Sequence, residues 1–516
     1  MNKNFSTNPT AVSSRTLLAL IFAAGLTGCA SLAPQALQPA EVLATAQADK
    51  AAQSKDVVPL SGPLSLEEAV ARAIKYNAER RLKAMEEAVA SGTFEVGKFD
   101  MLPKLVASAG YRYRDKDLLT SSRDLETGAL IGARTISSSA EATTTDLGLS
   151  WSLLDFGQSY YAAKQNGDRL LIAAERRRKA IHTLVQDVRT AYWRVVAADK
   201  LSANVRLTIQ EAEGALQDAR KAEGEMLRSP LEPLRFQRQL LENLRLLEVV
   251  EQELSSARIE LASLIGLPQT QPIKVIEPAG ELQTAWLDAP VEAMETQALA
   301  FNPDLRESMY NARIAQEETR RAMLKFFPGL SFNYGIKHSD DAYLVNQSWN
   351  EAGVQLSYNL LGLLSLPAQM RLADAGVALA DQKRVATQMA VLTQLHIARL
   401  QYANATRQFA RADAIAAVDG RIVAHVSNQE QAQKQTKLER VSQQTASILS
   451  SLRRYQAMSN VQAAASRLQA TLGMELSVEG SDTLSLADLT AAVSRSLHNW
   501  EAGKLPAQPP ATEARN

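Results

Sequence analysis

Four short stretches of the chain alternate apolar and polar residues with a period of two. In the second, Leu147, Leu149, Trp151 and Leu153 fall on one side and Asp146, Gly148, Ser150 and Ser152 on the other. In the third, Leu330, Phe332, Tyr334 and Ile336 alternate with Ser331, Asn333, Gly335 and Lys337. The fourth sets Val354, Leu356, Tyr358 and Leu360 against Gly353, Gln355, Ser357 and Asn359. The first is noisier, with Leu105, Ala107, Ala109, Tyr111 and Tyr113 interleaved with Ser108, Arg112 and Arg114. This period predicts strands over about 103–114, 146–154, 329–337 and 353–360. The same alternation suits a soluble, half-buried sheet or a lipid-facing barrel wall.

Between the strand pairs the period lengthens. Ile181, Val188, Val195, Ser202, Ile209 and Leu216 are spaced by seven, as are Leu184, Ala191, Ala198, Val205, Ala212 and Ala219. A sustained heptad means coiled-coil packing, and the many alanines let backbones approach closely. A helix from about Gly157 to about Gly224 would run on the order of 100 Å, and helices over about 64–100 and 231–265 about half that. Arg228-Ser229-Pro230 turns the chain back, Pro230 suiting the first turn of the returning helix. A second turn is expected near Gln435-Thr436.

The pattern occurs twice. Asn302 minus Asn77 is 225, as are Pro328 minus Pro103, Leu330 minus Leu105 and Asp340 minus Asp115. From Leu147/Val354 onward the offset is 207, and it persists through Ala191/Ala398, Leu231/Leu438, Glu232/Glu439, Gln237/Gln444 and Gly266/Gly473. The slip, 225 minus 207, is 18 residues, and it falls within residues 115–145, a Ser/Thr/Asp/Gly-rich stretch of loop composition. A tandem duplication with one longer loop accounts for both offsets.

The ends add compartment information. Lys3 and Arg15 precede an apolar run from Leu17 to Leu26, and Leu26-Thr27-Gly28-Cys29 follows, holding the chain's one cysteine. A basic start, a short apolar core and small residues before the break form a secretory signal. The tetrapeptide resembles the bacterial lipobox, which makes Cys29 the expected lipid anchor, and Ala30 after it points to the outer membrane. No other segment approaches the roughly 18–20 apolar residues of a membrane helix, so a membrane span would have to be a closed barrel. The expected organisation is therefore a signal peptide over 1–28, a lipidated linker over 29–63, a first repeat over 64–266 and a linker over 267–290 carrying Pro268, Pro272, Pro278 and Pro290. A second repeat over 291–473, a C-terminal segment over 474–500 and a disordered tail over 501–516 complete it.

Charge and chemistry exclude more than they add. Lys plus Arg and Asp plus Glu are both 56, a formal net charge of zero, which gives no basic stripe for nucleic acid. The five histidines, His182, His338, His396, His425 and His498, show no paired-ligand spacing, and neither a phosphate loop nor G-x-S-x-G occurs. Glu175-Arg176-Arg177-Arg178-Lys179 reads as a solvated helix face. No cofactor, metal or enzymatic reaction is expected.

In their order, these features resemble the TolC-type outer membrane efflux family, in its lipoprotein branch, over roughly residues 60–475. The resemblance rests on the repeat, the Asn77 and Asn302 helix segments, and Pro103 and Pro328 entering the strands. It rests also on Trp151-Ser152-Leu153-Leu154-Asp155-Phe156-Gly157 and on the helix-ending Leu264-Ile265-Gly266 and Leu472-Gly473. The second half departs from it, with Leu360-Leu361-Gly362-Leu363-Leu364 in place of the Asp155-Phe156-Gly157 exit.

The resemblance implies a mainly α protein with membrane β, forming a homotrimeric exit duct. One shared barrel would continue into a periplasmic helical tunnel that meets an adaptor (membrane fusion protein) and an inner-membrane pump, for efflux or type I secretion. Four strands cannot close a barrel, whereas three chains give twelve. The lipid-facing positions are then Leu147, Leu149, Trp151, Leu153, Leu330, Phe332, Tyr334, Val354, Leu356, Tyr358 and Leu360. The resemblance also implies an acidic aperture at the periplasmic tips, with Glu439, its repeat equivalent Glu232, and Ser442 and Lys437 as candidates. A soluble periplasmic adaptor with helical hairpins is the alternative, and the repeat opposes it.

Overall fold

The computed structural model describes residues 36–224, 231–269, 271–279, 282, 284–476, 480–481 and 483–505. Cys29, the signal segment, the 228–230 turn and the end of the tail lie outside the described residues. The chain divides into two units, Met1–Val57 and Val58–Asn516. In the first, α1 (Pro39–Ser54) begins with Pro at its first turn and a capping box between Gln38 and Glu41.

The second unit is mainly helical and is built twice over. The first copy runs α2 (Leu66–Tyr76), α3 (Ala78–Phe99), β1 (Lys104–Tyr113), β2 (Leu119–Arg123), β3 (Leu130–Ile136), β4 (Glu141–Ser152), α4 (Leu153–Gly224) and α5 (Leu231–Leu264). After the short α6 (Ala285–Asp288), the second copy runs α7 (Val291–Phe301), α8 (Pro303–Leu324), β5 (Gly329–Ser339), β6 (Ser348–Ser357), a 3-10 turn (Leu360–Ser365), α9 (Leu366–Gln431) and α10 (Lys437–Thr471). The chain then forms α11 (Leu486–Glu501), which packs on α2. Both ends of α3 and α8 differ by 225, and the last residues of α4 and α9 differ by 207, the two offsets of the sequence repeat.

Several expected boundaries move. The helix expected over 64–100 is two helices, because Asn77 is extended (φ −62°, ψ 128°) and caps the second. Its Oδ1 accepts from Arg80 N at 3.0 Å. Residues 115–145 are not a plain loop. They hold the antiparallel hairpin β2–β3 and the start of β4. Leu119 through Ile136 is 18 residues, the length of the offset slip, so the insertion is a hairpin of its own. Leu153 opens α4 instead of closing β4, because the Ser152 side chain accepts from Asp155 N at 3.2 Å and starts the helix. Tyr358 and Leu360 lie beyond β6, Leu360 in the 3-10 turn capped by Asn359.

The heptad seam of α4 is the buried spine of the bundle. Leu184, Val188, Ala191, Val195, Ala198, Val205, Ala212, Leu216 and Ala219 are all buried. Around them α4 packs against α2, α3, α5, α8 and α10. Ser202, the polar break in the seam, returns its Oγ to the Ala198 carbonyl at 2.5 Å and leaves no buried donor unpaired. Near the ends of the long helices, Ala212, Ala215 and Leu216 pack with Leu240 and Leu244 of α5 and Val441 of α10.

Each repeat closes on one junction. Asn77 Nδ2 donates to the Leu264 carbonyl at 3.1 Å, and Asn302 Nδ2 to the Thr471 carbonyl at 3.0 Å. Each asparagine thus caps the N-terminus of one helix and the C-terminus of another. The helix ends there adopt the left-handed turn at Gly266 (φ +72°) and Gly473 (φ +65°). A side chain at either glycine would run into Tyr76 or into the Phe301 backbone.

Candidate functional site: the sheet faces and the helical tips

The main sheet has the order β1–β4–β5–β6, antiparallel throughout, with β1 and β6 as its two edges. Its register gathers the predicted apolar positions onto one face. Leu105, Leu149, Tyr334 and Ala352 form one row, and Ala107, Leu147, Ile336 and Asn350 the next. Trp151, Phe332 and Val354 form a third, followed by the Leu330–Leu356 pair. Val354 and Leu356 are 68% and 69% exposed in the single chain, so this face has no protein cover. Trp151 lies 6.3 Å from the Phe332 ring and edge-on to Phe156 at 5.9 Å. Tyr111 and Tyr113 stand on the same face at the far end of β1. Aromatic residues therefore flank the apolar band at both ends.

The opposite face is mostly polar, with Val106 and Trp349 as its large apolar residues. Ser108, Asp146 and Lys337 share a row, and Lys337 Nζ reaches Glu351 on β6 at 2.7 Å. Gly148, Gly335 and Gly353 line the same face, and Gly335 leaves room beside Asp146, whose Oδ1 lies 3.2 Å from where a Cβ would sit. Asp146, Gly148, Gly335, Lys337 and Gly353 are the polar members of the sequence alternation. Their signal was a set of charges out of phase with the apolar series.

At the other end lie the tips of the helical pairs. Thr436 caps α10, its Oγ1 accepting from Glu439 N at 3.3 Å, and Gln433 takes the left-handed conformation (φ +58°) in the turn. Glu439 is half-buried and accepts from Gln443 Nε2 at 3.0 Å. Glu232 holds the corresponding position on α5 but is exposed and paired with Arg235 at 3.1 Å. Ser442 Oγ accepts from Asn243 Nδ2 of α5 at 3.2 Å, and Lys437 Nζ lies 3.7 Å from Asp218 of α4. The structure thus places all four candidates in the first turns of α5 and α10, and ties Ser442 and Lys437 to neighbouring helices. Arg440, which the sequence did not single out, sits between Glu211 and Glu430 at 2.6 Å from each.

Among the described residues there is no group of His, Cys, Asp and Glu that could hold a metal ion, and no helix is long and apolar enough to cross a membrane.

The comparisons agree with this architecture. Residues 78–267, the first repeat from α3 onward, match the family of outer membrane efflux proteins. The structure is similar to the outer-membrane channel OprN, with a TM-score of 0.60 and 14% identity over 80% of this chain and 90% of that one. It is similar to the Campylobacter jejuni CmeC outer membrane channel, with a TM-score of 0.62 and 12% identity over 85% and 89%. The Neisseria gonorrhoeae MtrE outer membrane channel in its open state gives 0.60 and 14% over 79% and 88%. At these identities the likeness is one of fold. A search of curated proteins gave no significant match.

Proposed function

We infer that this chain, an outer membrane efflux protein by its first repeat and by its fold, is one of three subunits of a passive exit duct in the outer membrane. The observation that carries this reading is an imbalance between the two repeats. Within the chain, α4 packs on both α8 and α10, and β4 pairs with β5. By the repeat, α9 should pack on a copy of α3 and a copy of α5, and β6 should pair with a copy of β1. Among the described residues α9 packs chiefly on α10, α8 and α7 of its own repeat, and the sheet ends at β1 and β6. A second copy set head to tail supplies the three expected contacts at once, and a ring closes when the strands close.

Three copies give twelve strands, an even number within the range of outer-membrane barrels. Strands of ten to twelve residues suit the span. The apolar face with its aromatic ends would meet lipid, and the face with Asp146, Lys337 and Glu351 would line the lumen. The helices α4 and α9, 72 and 66 residues long, would continue the duct into the periplasm for about 100 Å. Their tips would dock an adaptor and, through it, an inner-membrane pump, for efflux or for type I secretion. Energy and cargo choice would reside in the pump. Cys29, acylated and first in the mature chain, would add a lipid anchor.

Native mass measurement of the protein in detergent tests both parts. Three copies are expected, each beginning at Cys29 with acyl mass added, and Cys29→Ser should lose that mass. A folded monomer would overturn the duct. A trimer whose chains carry no acyl mass would overturn only the anchor.

A further inference from the structure

The seam inside each subunit and the seam between subunits are equivalent by the repeat, so their chemistry can be compared position by position. Among the described residues, five ion pairs join α4 to α8: Lys164–Glu317, Asp168–Arg313, Glu175–Arg306, Arg176–Glu307 and Lys179–Asp304. Adding 207 to the α4 residue and subtracting 225 from the α8 residue gives the partners expected where α9 meets the next copy's α3. They are Arg371 with Gly92, Ala375 with Ala88, Gln382 with Arg81, Lys383 with Leu82, and Ala386 with Glu79. None of the five positions keeps two opposite charges.

Beside these unpaired positions stand exposed apolar side chains. Gln165 donates to Glu318 at 2.8 Å inside the chain, and its equivalent Leu372 is 74% exposed. Ile172 is buried, whereas its equivalent Leu379 is exposed. On α3, Leu82, Met85, Val89, Val96 and Phe99 are all exposed, Val89 at 70%. At the sheet end, Gly157 lies against Leu324, and the equivalents are the large pair Leu364 and Phe99. The trend continues toward the tips, where Glu211–Arg440 maps onto Val418 and Pro233.

We propose that the surface formed by α9 on one side and α3 on the other is an apolar, salt-insensitive seam for a second copy of this chain. Its counterpart inside the chain is an ionic seam. The inference rests on the head-to-tail ring above and adds what holds the ring together. Ion pairs are directional and fix register, whereas apolar burial is not directional. Each subunit is therefore pinned internally and joined to its neighbours by contacts that tolerate sliding.

The test is trimer content of the full chain in detergent at low and high salt, with two variants. Between about 0.1 M and about 1 M salt the screening length falls from about 10 Å to about 3 Å, yet the trimer fraction should stay constant within about twofold. Val89→Asp should lower that fraction while helical content by circular dichroism is retained. Leu372→Cys combined with Thr93→Cys should give covalent dimers and trimers with a short bismaleimide, and neither single variant should. A trimer that falls apart at high salt would overturn the apolar seam and leave the duct standing. So would a trimer that never cross-links between residues 372 and 93. A chain that is monomeric at every salt concentration would instead overturn the ring itself.

Discussion

Asn77 and Asn302 show how much one side chain can settle here. Each stops one helix, starts the next and closes the far end of its repeat, by hydrogen bonds at 3.0–3.2 Å. The buried side chains around the second junction are charged as well as apolar. Glu175 pairs with Arg306 at 2.7 Å and with Arg178, which also meets Glu475. His182, one turn along α4 and stacked on Trp500, is pushed down to about 4 by burial and by the Arg178 guanidinium. Its folded form therefore resists protonation, whereas the unfolded chain takes a proton below about pH 6.5. The stability this site contributes is complete above that pH and is lost as pH falls toward 4. A shift from 6.5 to about 4 corresponds to about 3 kcal/mol at most. His182→Leu should flatten the fall in thermal stability across that window, and an unchanged slope would place the titration elsewhere.

Glu439 carries the functional prediction at this scale. In a ring it repeats three times near the tips, and like charges around a water-filled constriction favour cations. Glu439→Ala should lower cation preference in planar-bilayer recordings, and Glu232→Ala, whose carboxylate is already paired with Arg235, should lower it less. Unchanged selectivity in Glu439→Ala would leave the residue as a helix-start carboxylate favoured by the macrodipole.

Among the elements, the hairpin β2–β3 is the clearest difference between the repeats. It pairs only with itself, while β4 and β5 pair with each other just beyond its base. The second repeat makes the same β-connection through Asp340–Gln347 without it. Removing residues 119–136 should therefore leave trimer yield and heat stability close to those of the intact chain. Assembly lost on removal would mean that the hairpin contacts a neighbouring subunit. On intact cells the hairpin should be the segment reached by added protease.

At the scale of the molecule, the two repeats differ in what they leave uncovered. The first long helix is buried along its heptad seam, while α9 exposes Leu372, Leu379, Met389, Ile397, Leu400 and Ile415. Each such side chain gains roughly 1.5–3 kcal/mol from full burial, so the uncovered face favours association strongly. Ion pairs at a surface are worth far less, typically under about 1 kcal/mol. Of the five inside the chain, those with the buried carboxylates of Asp168 and Glu175 give back much of their attraction in desolvation, so the set serves register more than affinity, and the energy of the ring would come from the apolar side.

The amino-acid sequence determined the duplication, the heptad seam and the apolar face of the sheet, because each is a periodicity written in local order. The residues of that face from Leu147 to Trp151, from Leu330 to Tyr334, and at Val354 and Leu356 follow from the alternation alone. Strand ends were less legible. Leu153, Tyr358 and Leu360 continue the alternation in sequence, but caps at Ser152 and Asn359 turn the backbone before the pattern ends. The break at Asn77 and the hairpin inside 115–145 were hidden for a similar reason, since polar side chains chose there between competing local bonds. Only the tertiary structure decided which charges meet. Arg440 with Glu211 and the ionic seam of α4 with α8 join residues far apart in the chain. No local period records such pairings, because they form only when helices and strands from different parts of the chain are packed side by side.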